Sequence, residues 1–167
     1  MNDFPYTIRP IDDTHSKSVM TILNHYIENS FAAYFDHPLP DFFFDKIREM
    51  IKGYPAFVAC ESKEGVVGFA FLHAYHPAPT FRRTAEITYF IHPDHTRKGL
   101  GKFMLDELIT QALKQNIDNI VASISSLNSA SLTFHVKNGF HECGRLEGIG
   151  RKCERDFDVV YMQRHIG

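Results

Sequence analysis

Apolar and polar positions change period along the chain, and the changes mark its elements. Tyr6-Thr7-Ile8-Arg9-Pro10 alternates and reads as a short strand ending at proline. Val19, Ile22, Leu23, Tyr26 and Ile27 then recur at helical spacing behind Asp12 or Asp13, either of which serves as an N-cap. Residues 31–40 carry Asp36, His37, Pro38 and Pro40 and read as irregular. Asp41 is expected to cap a second helix bearing Phe44, Ile47, Met50 and Ile51, with Gly53 at its end. Strands over 55–61 and 66–73, joined by a turn at 62–65, read as a hairpin. His76-Pro77-Ala78-Pro79-Thr80 interrupts regular structure, because proline donates to no backbone ladder.

The second half alternates strand and helix. A strand over 84–91 leads through a glycine-containing loop into a helix reaching about Lys114. A buried strand over 117–124, a short helix over 128–137 stopped by Asn138-Gly139, and strands over 140–146 and 158–163 follow. The order β-α-α-β-β-β-α-β-α-β-β predicts a mixed α/β fold: a mostly antiparallel central sheet with helices on both faces. The length suits one hydrophobic core, and no repeat or linker divides it, so residues 1–167 are expected to form a single domain.

Composition removes several function classes. Eighteen basic against twenty acidic residues give a formal charge of -2, which offers bulk nucleic-acid binding no support. No apolar run is long enough to cross a membrane, and Met1 to Pro10 lacks the apolar stretch of a signal peptide. Cys60, Cys143 and Cys153 are odd in number and far apart, which fits a reducing cytoplasm better than a disulfide framework. The ten histidines include two close pairs, His73/His76 and His92/His95. Neither pair lies on a predicted helix and no cysteine pair completes a ligand set, so no metal site is expected.

The strongest chemical signal is the loop His92 to Lys102, between strand and helix. Exposed N–H groups of a first helical turn, the helix dipole, two glycines and three cations, Arg97, Lys98 and Lys102, suit a pyrophosphate. A dinucleotide fingerprint fails because Met104 stands where a third glycine is required, and a triphosphate loop fails because Phe103 follows Gly101-Lys102.

Thr96-Arg97-Lys98-Gly99-Leu100-Gly101 instead resembles the acetyl-CoA loop of the GCN5-related N-acetyltransferases (GNAT), whose pattern is Arg/Gln-x-x-Gly-x-Gly/Ala. Thr96 departs from the first position; its hydroxyl and the flanking cations are expected to compensate. Asn128, Ser131 and His135 share one helix face at i, i+3 and i+7, and with Gly139-Phe140 resemble a second motif of that superfamily. Asn24-His25-Tyr26, Tyr54-Pro55, Thr84-Ala85-Glu86, His92-Pro93-Asp94-His95 and Asp158-Val159-Val160 extend the resemblance to the phosphinothricin N-acetyltransferase branch.

The resemblance implies a GNAT fold and an acetyl-CoA-dependent N-acetyltransferase acting on the α-amino group of a small amino-acid-like substrate, by direct transfer in a ternary complex. It implies cofactor contacts at Phe90, Ile91, His92, Thr96, Arg97, Lys98, Gly99, Leu100, Gly101, Lys102, Asn128 and Ser131. Glu86 matches the branch's general base; its mid-strand face, shared with Thr88 and Phe90, suggests the partial burial that lifts a carboxylate toward the working pH. The alternative is a structural ion pair with Arg82 or Arg83. His135 is the candidate acid, and an ordinary packed histidine is its alternative. Substrate contacts are expected from Tyr26, Phe35, His76, Pro77 and Ala78, with Arg82 and Arg83 as cations. Relatives commonly form homodimers, and Phe42-Phe43-Phe44 serves either an interface or the core. Another amine substrate and a non-catalytic acyl-CoA-binding module stay open at this point.

Overall fold

The computed structural model describes residues 4–167. Seven strands form one sheet in the order β1-β2-β3-β4-β5-β7-β6. They are β1 (Tyr6–Pro10), β2 (Ala56–Glu61), β3 (Gly65–Ala74), β4 (Thr84–Ile91), β5 (Asn119–Ser125), β6 (His141–Lys152) and β7 (Arg155–His165). Every neighbouring pair is antiparallel except β4 and β5. That parallel pair is joined by α3 (Leu100–Lys114), the crossover a parallel connection requires.

Helices cover both faces. On one, α1 (Ser16–Asn29) and α2 (Phe43–Met50) bury Val19, Ile22, Ile27, Phe44 and Ile47 against Val58, Phe69 and Phe71. On the other, α3 buries Leu100, Met104, Leu105 and Leu108 among Ala70, Leu72, Ala85 and Ile87, beside α4 (Ser129–Lys137). β3 therefore reads as an unbroken apolar run, because Phe69 and Phe71 face one helical layer while Ala70 and Leu72 face the other. Phe69, Phe71 and Leu72 each contribute about 1.5–3 kcal/mol on full burial.

The element order is the one predicted from the hydrophobic pattern. Of the two candidate caps for α1, Asp12 acts: its Oδ1 accepts from Thr14 N at 2.9 Å and starts a short 3-10 turn ahead of the helix. Asp41 does not cap α2. Phe42 occupies that position without a side-chain bond, and the chain enters the helix through Phe43 N to Pro40 O. The final hairpin is longer than predicted, because β6 and β7 pair up to Lys152 and Arg155. Their turn places Cys153 and Glu154 at φ 49° and 59°, a left-handed pair that neither residue type advertises.

One relationship positions everything that follows. β4 pairs with β3 without interruption from Ala85 to Ile91, so it contains no bulge toward that neighbour. With β5 it pairs only at Thr84, Ala85 and Glu86. Beyond Glu86 the two strands part, and their facing edges have no ladder between them. A gap thus opens in the middle of the sheet.

Candidate active site

The loop after β4 forms one mouth of that gap. Arg97 at φ 58° and Gly99 at φ 85° both adopt left-handed backbone, which turns the chain sharply into α3. Gly99 is the N-cap and offers no side chain. The first intrahelical bond runs from Phe103 N to Gly99 O, so among the described residues the N–H groups of Leu100, Gly101 and Lys102 have no partner. A Cβ on Gly101 would sit 3.3 Å from Phe134 and 3.5 Å from Ile91; glycine lets β4 and α4 close on the start of α3.

The flanking side chains divide. Thr96, Arg97, Gly99, Gly101 and Lys102 line the cavity here, as do Phe90 and Ile91. The Thr96 hydroxyl proton is not available to an anionic ligand, because it is donated to Pro93 O at 2.8 Å. Lys102 Nζ bonds both carboxylate oxygens of Asp106, at 2.8 and 2.6 Å. His92, Lys98 and Leu100 lie outside the lining. Nδ1 of His92 accepts from Asp94 N, Lys98 is exposed, and the Leu100 side chain is fully buried, leaving only its backbone N–H toward the mouth. His95 is buried. Its Nε2 donates to Glu64 at 2.9 Å and its Nδ1 accepts from Tyr6 at 3.1 Å, which ties the loop to β1 and the β2–β3 turn.

From this mouth a cavity of about 770 Å³ runs through the gap, with walls from both helical layers. Glu86 is half-buried on its wall. Burial pushes its carboxyl above the ordinary carboxylate range, and His73, its cross-strand neighbour on β3, opposes this in part. Glu86 makes no ion pair with Arg82 or Arg83 among the described residues; Arg83 Nε instead donates to Asp118 at 2.9 Å. Near Glu86, Tyr34 Oη and Ser123 Oγ are 3.1 Å apart across the cavity wall. Burial pushes the Tyr34 hydroxyl upward.

Three residues farther along β4 the side chain points to the other face, so Tyr89 meets α4. Its hydroxyl lies 2.7 Å from His135 Nε2, while His135 Nδ1 lies 2.7 Å from Ser131 O. A carbonyl only accepts, so Nδ1 carries the proton and Nε2 accepts from Tyr89. His135 is 3% exposed, and burial holds it below the ordinary imidazole range. Burial raises the Tyr89 hydroxyl strongly. Asn128 caps α4 through Ser131 N at 3.2 Å, and Asn128, Ser131 and His135 all line the cavity as their shared face predicts. The arrangement thus offers a half-buried carboxylate on one face, a hydrogen-bonded Tyr89–His135 pair on the other, and an uncapped helix end at the mouth.

The model of the acetyltransferase (GNAT) family matches residues 19–140. The chain belongs to this family. It is 31% identical over 160 residues to an L-methionine sulfoximine/L-methionine sulfone acetyltransferase of Salmonella typhimurium, covering 94% of this chain and 92% of the relative. It is 31% identical over 162 residues to the phosphinothricin N-acetyltransferase of Streptomyces viridochromogenes, covering 96% and 87%. A phosphinothricin acetyltransferase from Sinorhizobium meliloti, solved with acetyl-CoA, superposes with a TM-score of 0.92 at 26% identity, covering 98% of this chain and 90% of that one.

In this GNAT chain the far end of the cavity differs most from the sequence-based expectation. Tyr26 and Phe35 line the cavity, and the Tyr26 hydroxyl donates to Ile91 O at 2.6 Å. His76, Pro77, Ala78, Arg82 and Arg83 do not. The β3–β4 connection turns outward: His76 Nδ1 accepts from Ala78 N, its ring packs on Phe81, and Arg82 and Arg83 are exposed. The walls come instead from Tyr34, Phe43, Ile47, Met50, Phe69 and Phe71. Phe69 and Phe71 were legible only as core, and no local pattern marks Tyr34 in an irregular segment. Lys152 is 4% exposed and donates to Ser30 O and Ala33 O, both at 2.8 Å. It fixes the segment that presents Tyr34 and Phe35.

Proposed function

We propose that this GNAT acetyltransferase transfers the acetyl group of acetyl-CoA to the α-amino group of a small amino-acid-like substrate, directly and without an acyl-enzyme. One observation carries the reading: a single cavity joins the uncapped start of α3 to Glu86 on one face of the sheet and to Tyr89 and His135 on the other. The fit of acetyl-CoA rests on the free N–H groups at Leu100, Gly101 and Lys102, the cation Arg97, and the open β4 edge. The names of the relatives, which act on methionine sulfoximine, methionine sulfone or phosphinothricin, support the substrate class.

Acetyl-CoA supplies its acetyl group as an activated thioester. Glu86, lifted by burial, takes a proton from the substrate ammonium. The unpaired edge of β4 from Ile87 onward presents backbone groups to the cavity, where an N–H steadies developing oxyanion charge. As the amine nitrogen bonds the acetyl carbon and the C–S bond breaks, the leaving thiolate takes the proton that Tyr89 O–H holds on the opposite face against His135 Nε2. Because Nδ1–H is committed to Ser131 O, His135 itself delivers a proton only after Nε2 has gained one.

Residues 1–167 act as one acetyltransferase unit in this reading, supported by the continuity of the sheet from β1 to β6. The free thiols of Cys60, Cys143 and Cys153 support a cytoplasmic location. Phe42, 70% exposed at the start of α2, supports a homodimer contact.

The test is thiol release from acetyl-CoA in the presence of a panel of free amino acids that includes methionine sulfone and phosphinothricin. Amine-dependent release that falls on Glu86→Gln supports the reading. Binding of acetyl-CoA without release for any amine overturns it in favour of a binding module.

A further inference from the structure

The relatives named for phosphinothricin handle a substrate with an anionic side chain, and such a group needs a cationic partner when it leaves water. The charge inventory of this cavity supplies none at the substrate end. The cations in its lining, Arg97 and Lys102, both stand at the loop mouth beside the start of α3. Past Glu86, the walls are Tyr34, Phe35, Phe43, Ile47, Met50 and Phe71. The basic residues nearest in the fold are committed elsewhere. Lys152 is spent on Ser30 O and Ala33 O, Arg151 pairs with Asp156 at 3.1 Å, and Arg83 pairs with Asp118. Lys46 lies over the Phe43 ring and Arg155 over the Phe31 ring, outside the lining. The histidine nearest Glu86, His73, is likewise outside it. Among the described residues the lining therefore places no Lys or Arg beyond the loop mouth, and the carboxylate of Glu86 stands at a substrate's amine end.

We infer that the substrate's side chain is uncharged, and that it fills the aromatic end of the cavity while Glu86 meets the ammonium group. This rests on the acetyltransferase reading above and narrows its substrate class. An apolar side chain loses nothing on entering such walls and gains their contact area. An anionic one loses its hydration with no partner in return, and Glu86 repels it. An α-carboxylate fits only if it stays at the solvent side.

The experiment compares kcat/KM for L-phenylalanine, L-leucine and L-methionine sulfone with that for L-phosphinothricin and L-glutamate, at saturating acetyl-CoA. The expected result is an advantage of about 100-fold or more for the best neutral side chain over L-phosphinothricin. Equal or better use of L-phosphinothricin overturns the inference. Should no amine turn over, the transfer reading fails, and the inference is read from binding to the CoA-loaded protein. Tighter binding of L-phenylalanine than of L-phosphinothricin then upholds it; the reverse, or equality, overturns it. Met50→Arg provides a second arm. Met50 is 44% exposed at the end of α2, where a cation is favourable. This substitution is expected to shift the phosphinothricin-to-phenylalanine ratio upward about tenfold through KM. An unmoved ratio with the fold intact counts against the inference.

Discussion

Tyr89 Oη and His135 Nε2 are 2.7 Å apart, and the bond joins the central strand β4 to α4 through two side chains that both face the cavity. It also fixes the imidazole tautomer, because Nδ1 is already committed to Ser131 O.

Tyr89→Phe is expected to leave the buried Nε2 without its protein donor and to destabilise the fold by about 1–3 kcal/mol. Urea unfolding measures the loss. Nitrogen chemical shifts of His135 in the unaltered protein should show Nδ1 protonated and Nε2 bare. Because burial lowers the folded imidazole pKa, the stability it contributes is present above the ordinary imidazole range and is lost as pH falls from there through the depressed folded value.

Glu86→Gln is expected to lower kcat/KM by about 10²–10⁴-fold, the usual worth of a positioned base. The same substitution should stabilise the protein. Burial raises the folded pKa of Glu86, so its stability contribution is greatest when the carboxyl is protonated and is lost as pH rises through the elevated folded value. The variant's gain in Tm therefore appears at neutral pH and vanishes below the ordinary carboxylate range. In the unaltered enzyme kcat/KM rises through the same elevated pKa.

Gly99→Ala places a Cβ on backbone at φ 85° and is expected to cost about 1–2 kcal/mol. Relaxation of the strained turn re-aims the free N–H groups of α3, so calorimetry should show weaker acetyl-CoA binding as well.

Asp106→Asn releases Lys102 from a carboxylate that holds it at 2.6 Å. Acetyl-CoA binding is expected to tighten by about twofold to fivefold at low ionic strength, since an exposed pair is worth up to about 1 kcal/mol, and to lose the gain in high salt.

Lys152→Met removes the ammonium that bridges Ser30 O and Ala33 O. KM for the amine should rise several-fold while KM for acetyl-CoA stays near its starting value, because the bridged segment carries Tyr34 and Phe35 and not the α3 loop. Two carbonyls left unpaired are expected to cost about 1–3 kcal/mol each.

The cofactor end of the site was legible in the sequence because it is local. Thr96 to Gly101 is one turn between a strand and a helix, and Asn128, Ser131 and His135 share a helix face by spacing alone. The substrate end is assembled from α1, α2, β3, β4 and the segment around Tyr34, and no window of sequence contains it. Arg82 and Arg83 looked suited to a substrate because charge is visible in a sequence, whereas the direction of the loop bearing them is not. Tyr89 read as an alternating strand residue; only the docking of α4 gives its hydroxyl a partner. The β6–β7 hairpin was shortened because Gly144, Gly148 and Gly150 weaken the strand pattern, and Cys153-Glu154 lacks turn chemistry.

The bonds of Lys152 to Ser30 and Ala33 span 122 and 119 positions of the chain. Contacts so distant in sequence close late in folding, since loop entropy is lost before they reward it. On a ribosome α3, α4 and the loop before α3 are already synthesised while Lys152 is not. The wall bearing Tyr34 and Phe35 therefore waits for the closing hairpin, and under the proposed function selectivity toward the amine is the last property the growing chain acquires.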